Sequence, residues 1–248
     1  MPKKTERAHL APGALTAPLP PTIVTVGNME RSNMLTVAWT GILATVPPKT
    51  YVSIRPSRHS HAMLTEGGEF VINLPSADMA RTVDFVGIYT GKKMDKFERC
   101  ALTKLPSEKV APPTIAECPI ALECRVSEVI SMGSHDVFVA DILSVSCREE
   151  LIDADGKLRY DKANLLAYAH GEYYSLGERL GRFGFSTDKK RTVARPSAVE
   201  AKKESARGEE KDRAEDEKKP FYLGLPKGKH KKSRVDKNKG APRRREKK

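Results

Sequence analysis

The chain has 248 residues, with 44 Lys and Arg against 32 Asp and Glu, a formal charge of +12. Taken whole, that suggests a basic protein seeking an anionic partner, but residues 189–248 hold 23 Lys and Arg and 10 Asp and Glu (+13), leaving residues 1–188 at 21 against 22 (−1). Only 13 of those last 60 residues are apolar, too few to offset the entropy of ordering them, whereas the first 188 suit one globular domain and exclude a coiled coil or a disulfide scaffold. No apolar run approaches the ~18 residues of a membrane helix. The start, MPKKTERAHLAPG, lacks a signal-type apolar stretch, so the expected location is cytoplasmic.

Residues 1–20 are rich in Pro and Ala and read as an extended lead-in. Strands are predicted over 22–27 (TIVTVG), 34–46 (MLTVAWTGILATV) and 50–55 (TYVSIR), the last two separated by the turn-forming PPK. A short helix over 60–66 ends at Gly67-Gly68, and EFVINLP at 69–75 is a further strand. Ser76 is placed to cap a helix through about Val86, with Met79, Val83 and Val86 at helical spacing. Residues 87–100 read as loop with one helical turn. Two long strands, 120–132 and 135–148, flank Gly133-Ser134, a hairpin signal. A last strand covers 165–170, and the domain is expected to span 21–188, followed by a disordered basic tail over 189–248. Many strands with few, short helices predict a mainly β, antiparallel barrel with helices at its rim. The four cysteines show no metal-type spacing and read as reduced thiols, several of them buried.

Several segments then form a pattern. Asn33-x-x-Thr36-x-x-Trp39-Thr40, PPxxYVSIR, Arg58-His59-Ser60-His61 and GEFVINLP resemble the flavin reductase-like family. So do DFVGIYTG with Asp95-Lys96-Phe97, Gly133-Ser134-His135-Asp136 and YYSLGERLGRFGFS. The likeness covers roughly residues 20–186. It implies an FMN-binding split β-barrel, Greek-key-like in connectivity, of flavoredoxin type. It further implies a homodimer with FMN near the interface, and hydride transfer from NADH or NADPH to the flavin.

On the residues themselves, SIRPSRHSH gathers Arg55 and Arg58 with Ser53 and Ser60, donors of the kind a phosphate monoester requires. A solvated loop would look the same. The resemblance assigns these residues, with Ile54, to the phosphate and ribityl chain, and Asn33, Thr36, Trp39 and Thr40 to the strand that lines the flavin. It places Lys96 near the ring, where a cation would stabilise the reduced form; an exposed surface lysine is the alternative. Tyr168 and His170 would approach the ring from the C-terminal side, and His135, after its Gly-Ser turn, is the candidate catalytic residue. Hydride transfer needs no protein nucleophile and no metal. One departure is Val86, where related members often carry Cys.

Three functions stay open on these grounds. The first is an FMN reductase using NAD(P)H and delivering electrons to a small-molecule or protein acceptor. The second is a flavoredoxin-like carrier fed by a protein donor. The third is a nucleic-acid-associated protein acting through residues 227–248, where Lys and Arg face only Asp236 and Glu246. That run would bind polyanions without sequence preference and in a salt-sensitive way, or else serve only to solubilise.

Overall fold

β-Branched and aromatic runs form the strands of the molecule, whose computed structural model describes residues 7–187. The basic segment from 189 onward, with its candidate polyanion contact at 227–248, lies outside the described residues. In chain order come β1 (Thr22–Gly27), β2 (Ser32–Val37), β3 (Thr40–Thr45), β4 (Pro48–Ile54), α1 (His59–Gly67), β5 (Glu69–Leu74) and α2 (Ala80–Ile88). They are followed by α3 (Lys96–Arg99), the short β6 (Lys104–Leu105) and β7 (Thr114–Ile115), β8 (Ile120–Ser131), β9 (Asp136–Cys147), β10 (Leu166–Ala169) and β11 (Glu172–Ser175). The chain divides into two units at Leu180/Gly181. Of the second, 181–187 are described and carry a 3-10 turn at Phe185–Thr187.

Seven strands make one antiparallel sheet in the order β2-β1-β5-β8-β9-β4-β3. A single cluster takes buried side chains from both halves of that sheet, Val24 and Leu35 on one side and Val52, Ile54, Phe138 and Ala140 on the other. The sheet is therefore rolled around its own core, as a barrel open along the seam between β2 and β3. Phe70 and Phe138, fully enclosed there, each contribute roughly 1.5–3 kcal/mol of burial. Bulges between Glu123 and Cys124 and between Val126 and Glu128 bend the long β8–β9 hairpin so that it serves both sides of the roll. Its turn is the predicted one, with Gly133 at φ +78°.

The run 34–46 is not one strand. β2 stops at Val37 and β3 starts at Thr40, and the two lie on opposite edges of the sheet. Ala38 and Trp39 form the corner between them, where the Trp39 carbonyl accepts the Ser53 N–H at 2.9 Å. Apolar alternation continues through the corner, so periodicity alone does not reveal it.

α1 ends as expected, on Gly68 at φ +65°. The helix after Ser76 differs: a 3-10 turn at Ala77–Met79 precedes α2, and the Ser76 hydroxyl makes no cap bond. Instead Asn164 O accepts the Ala77 N–H at 2.7 Å, joining the helix start to the chain that enters β10. α2 lays Val83 and Val86 on Ile23 and Met34, which with Phe97 of α3 form a second core outside the barrel. No helix of the described residues is long and apolar enough to cross a membrane.

Candidate functional site

At the open seam, the last residues of β4 meet the β2–β3 corner, and a turn projects beyond them. Arg58 N–H donates to Arg55 O at 2.9 Å, so residues 55–58 reverse direction before α1 begins. Arg58 occupies the N-cap position of α1 without giving it a side-chain cap. Unpaired N–H groups and the positive end of the helix dipole therefore face outward there.

Two adjoining cavities lie along this seam and share Leu35, Arg55 and Arg58. The smaller, about 210 Å³, is lined by Asn33, Ser57, Arg58, His59, Ser60, Val86, Tyr89, Gly91 and Lys96, and no carboxylate lines it. Lys96 is only 4% exposed. Its Nζ donates to Met34 O and Val86 O, both at 2.8 Å, which leaves one of its three N–H donors for the cavity. Burial, reinforced by the Arg58 charge, pushes its pKa down to about 8. His59 is likewise pushed below its usual value, first by burial and then by Lys92, Arg31 and Lys96. In both groups burial is the larger cause, and neighbouring cations add to it.

Asn33 closes the floor. Its Nδ2 donates to Ser60 Oγ at 2.7 Å, and Gly91 packs so closely that a Cβ there would lie 2.1 Å from Asn33 Oδ1. Gly91→Ala must displace the amide, and we expect a loss of about 1–2 kcal/mol, the cost of a broken buried hydrogen bond. The urea midpoint measures this; an unchanged midpoint would contradict the close approach.

The larger cavity, about 400 Å³, is walled by Pro21, Thr36, Ala38, Trp39, Ser53, Ile54, Gly87, His135, Tyr168 and Tyr173. Its wall is mixed, aromatic and apolar surface alternating with hydroxyl, guanidinium and imidazole groups, a composition suited to a planar ligand with polar edges. Trp39 is 42% exposed, so its ring is a wall of the cavity and not part of the core. Tyr168 and Tyr173 are paired across the β10–β11 hairpin with ring centroids 5.4 Å apart. Tyr173 Oη donates to Asp84 Oδ1 at 3.4 Å. Burial, with the Asp84 charge, pushes that phenol up to about 12, so it stays protonated. At the mouth, Arg55 Nε–H donates to His135 Nε2 at 3.4 Å. The other ring nitrogen, Nδ1, lies 2.9 Å from Ser134 Oγ.

Of the residues singled out from sequence, Thr36, Trp39, Ser53, Ile54, Arg55, Arg58, His135 and Tyr168 line the larger cavity, while Asn33, Ser60 and Lys96 line the smaller. Lys96 is thus buried among the basic and hydroxyl groups and is not an exposed lysine. Thr40 and His170 line neither. Thr40 Oγ1 donates to Tyr51 O and secures the β3–β4 pairing. His170, exposed at φ +47° beside Gly171 at φ +92°, makes the tight turn between β10 and β11. Gly91, Tyr89 and Tyr173 were not anticipated. Tyr173 was recoverable, because a hairpin turning at His170-Gly171 puts it opposite Tyr168. Among the described residues, no three His, Cys, Asp or Glu side chains gather as metal ligands. Cys118 and Cys124 are enclosed, and burial pushes both thiols up to about 12, far from a reactive thiolate.

Known proteins share this fold. Flavoredoxin of Desulfovibrio vulgaris (Miyazaki F) superposes with a TM-score of 0.69 at 31% identity, over 73% of this chain and 100% of its own. An FMN-binding protein from Thermus thermophilus, solved with bound 1-cyclohex-2-enone, gives 0.61 at 27% identity, over 72% and 99%. An uncharacterised protein of Pyrococcus abyssi is 31% identical over 169 residues, 68% of this chain and 96% of its own. Residues 15–177 match the flavin reductase like domain, and the chain belongs to that family, with the split β-barrel its sequence led us to expect.

Proposed function

We propose that this protein is an FMN-binding oxidoreductase of flavin reductase type, taking hydride from NADH or NADPH and passing electrons to a small-molecule or protein acceptor. The observation that carries this reading is the pairing of the two cavities. One is small, basic and free of carboxylates in its lining; the other is larger and aromatic-walled, and they meet at Arg55 and Arg58. A phosphate monoester on a polar chain attached to a flat ring system fits that sequence of environments. The flavoredoxin and FMN-binding relatives support the same ligand.

In this reading Arg55, Arg58, Ser60, Lys96 and the free N–H groups of α1 hold the phosphate. Thr36, Ser53 and Ile54 line the larger cavity and Asn33 the floor of the smaller, on either side of the junction at Arg55 and Arg58. Lys96 then serves the phosphate end, whereas the family resemblance placed it near the ring. Trp39, Tyr168 and Tyr173 exclude water from the ring's surroundings. His135 orients the incoming nicotinamide at the mouth. Bound FMN would supply the two-electron acceptor for hydride from the reduced nicotinamide. The chain's own part is positioning and exclusion of water.

Freshly purified protein should be yellow and should bleach at about 450 nm, the oxidised-flavin band, on anaerobic addition of NADH or NADPH. Bleaching only with a reduced protein donor would favour the flavoredoxin-like carrier, which the 31% identity to flavoredoxin makes the second reading. Colourless protein that cannot be reconstituted with FMN would exclude both. His135→Ala is expected to lower turnover roughly tenfold or more, the scale of one positioning contact, with FMN occupancy kept. Loss of FMN with turnover per bound FMN unchanged would reassign His135 to cofactor retention.

A homodimer with FMN near its interface fits the exposed apolar side chains Ile42, Leu43 and Val46 after the corner, and Val129, Ile130 and Met132 near the β8–β9 turn. A cytoplasmic setting completes the proposal. So does a salt-sensitive polyanion contact through 227–248, which deletion of residues 189–248 should abolish.

A further inference from the structure

The turn at residues 55–58 is fastened at both of its ends to consecutive residues, His135 and Asp136, at the start of β9. β4 ends with Ile54 paired to Asp136, the first residue of β9. From there residues 55–58 turn outward and α1 brings the chain back. At the outgoing end, Arg55 Nε donates to His135 Nε2 at 3.4 Å. At the returning end, His61 Nε2 lies 2.7 Å from Asp136 Oδ2, with side-chain exposures of 16% and 18%. Between these two points sit Ser57, Arg58, His59 and Ser60, which line the smaller cavity.

The His61–Asp136 contact is held rigidly from both sides. The His61 ring packs edge-on against Phe138, centroids 5.2 Å apart and planes at 71°. The Asp136 carboxyl also engages Ser131, its partner across the β8–β9 hairpin. Those two hydrogen bonds, that of His61 first, hold it below the usual carboxylate range, so it is ionised wherever the protein is folded at ordinary pH. Neither His61 nor Asp136 lines either cavity. Their contact spans the sheet end and α1, two elements that the exposed 55–58 turn would otherwise join loosely.

We infer that His61 and Asp136 are positioning residues that pre-organise the 55–60 turn for a phosphate group. The inference rests on the proposed FMN site. Fixing the turn before binding spares the phosphate the cost of ordering Arg55, Arg58 and the start of α1. The ring system, which binds in the other cavity, gains nothing from the contact. Its signature is therefore selective: loss of the pair weakens ligands that carry the phosphate and spares those that lack it. A purely structural role would affect both alike.

The test measures FMN and riboflavin affinities side by side for the full-length protein and for His61→Phe, Asp136→Ala and His61→Gln. Phe keeps the contact with Phe138 but cannot hydrogen-bond, whereas Gln retains a donor. We expect about tenfold weaker FMN binding in His61→Phe and Asp136→Ala, riboflavin affinity within twofold of wild type, and FMN affinity recovered in His61→Gln. Equal losses for both flavins, or no loss for either, would overturn the inference while leaving the FMN site standing. Wild-type protein that binds neither flavin would overturn the FMN reading and this inference together. Should Asp136→Ala not fold, the contrast between His61→Phe and His61→Gln decides by itself.

Discussion

Replacing Arg55 or Arg58 by alanine should weaken FMN binding by about 1.5–3 kcal/mol each, the range for a hydrogen bond to a charged group. That is roughly ten- to a hundredfold in affinity. Both guanidinium groups stand at the junction of the two cavities, and both are exposed in the ligand-free protein, so removing either leaves no buried partner orphaned and the fold should persist. Because the two would grip the same phosphate, the double variant should lose less than the sum. Equilibrium titration followed by flavin fluorescence measures these losses. Unchanged FMN affinity in both single variants would remove the phosphate assignment.

The second large effect concerns pH. Burial lowers the Lys96 pKa from 10.5 to about 8, with Arg58 adding to the shift. For a cation, a folded-state value below the unfolded one is a stability penalty. The penalty is fully present below about pH 8, where both states are charged. It is relieved as pH rises from 8 towards 10.5, where the unfolded chain still holds the proton and the folded one does not. The ligand-free protein should therefore gain up to about 1.4 kcal/mol per pH unit from this group across that window. A phosphate in the cavity has the opposite influence, because its negative charge favours the ammonium. FMN binding should then take up a proton, and FMN affinity should fall as pH rises above 8, by up to about tenfold per unit. Lys96→Met should flatten both curves. It should also weaken FMN binding at pH 7 and leave Met34 O and Val86 O without their donor. FMN affinity that is constant from pH 7 to 9.5 in the wild type would show that Lys96 does not face the phosphate.

Much of the fold was legible because its signals are local. Gly68 and Gly133 adopt the left-handed conformations that ended a helix and turned a hairpin in the reading from sequence. Alternation in 120–148 marked the β8–β9 pair. The corner at Ala38-Trp39 was not legible, since residues on both sides of it favour strands equally and only the placement of β2 and β3 on opposite edges separates them. Ser76 had the chemistry of a cap, but a partner from distant sequence, Asn164, satisfies the backbone there. For the site, Arg55, Arg58 and Ser60 could be read as a donor cluster because they are neighbours in the chain. Gly91 could not, since its meaning lies in the approach of Asn33, a contact across 58 positions of sequence (91 − 33) that no local pattern records. The contact of His61 is equally non-local, its partner Asp136 being 75 residues away.

Sequence by itself determined the strand-rich character of the chain, the contrast between near-neutral residues 1–188 and basic residues 189–248, and the chemical types of the donors clustered at 53–60. These follow from composition, two-residue periodicity and short motifs, each a property of neighbouring residues. Tertiary structure alone decided which donors share a cavity, that Lys96 is buried with two carbonyl partners, and that Thr40 and His170 lie outside both cavities. Burial and electrostatic environment depend on what is brought near from elsewhere in the chain. A lysine's charge can be read from its letter, whereas the energy of that charge is set only by the surroundings the fold assembles.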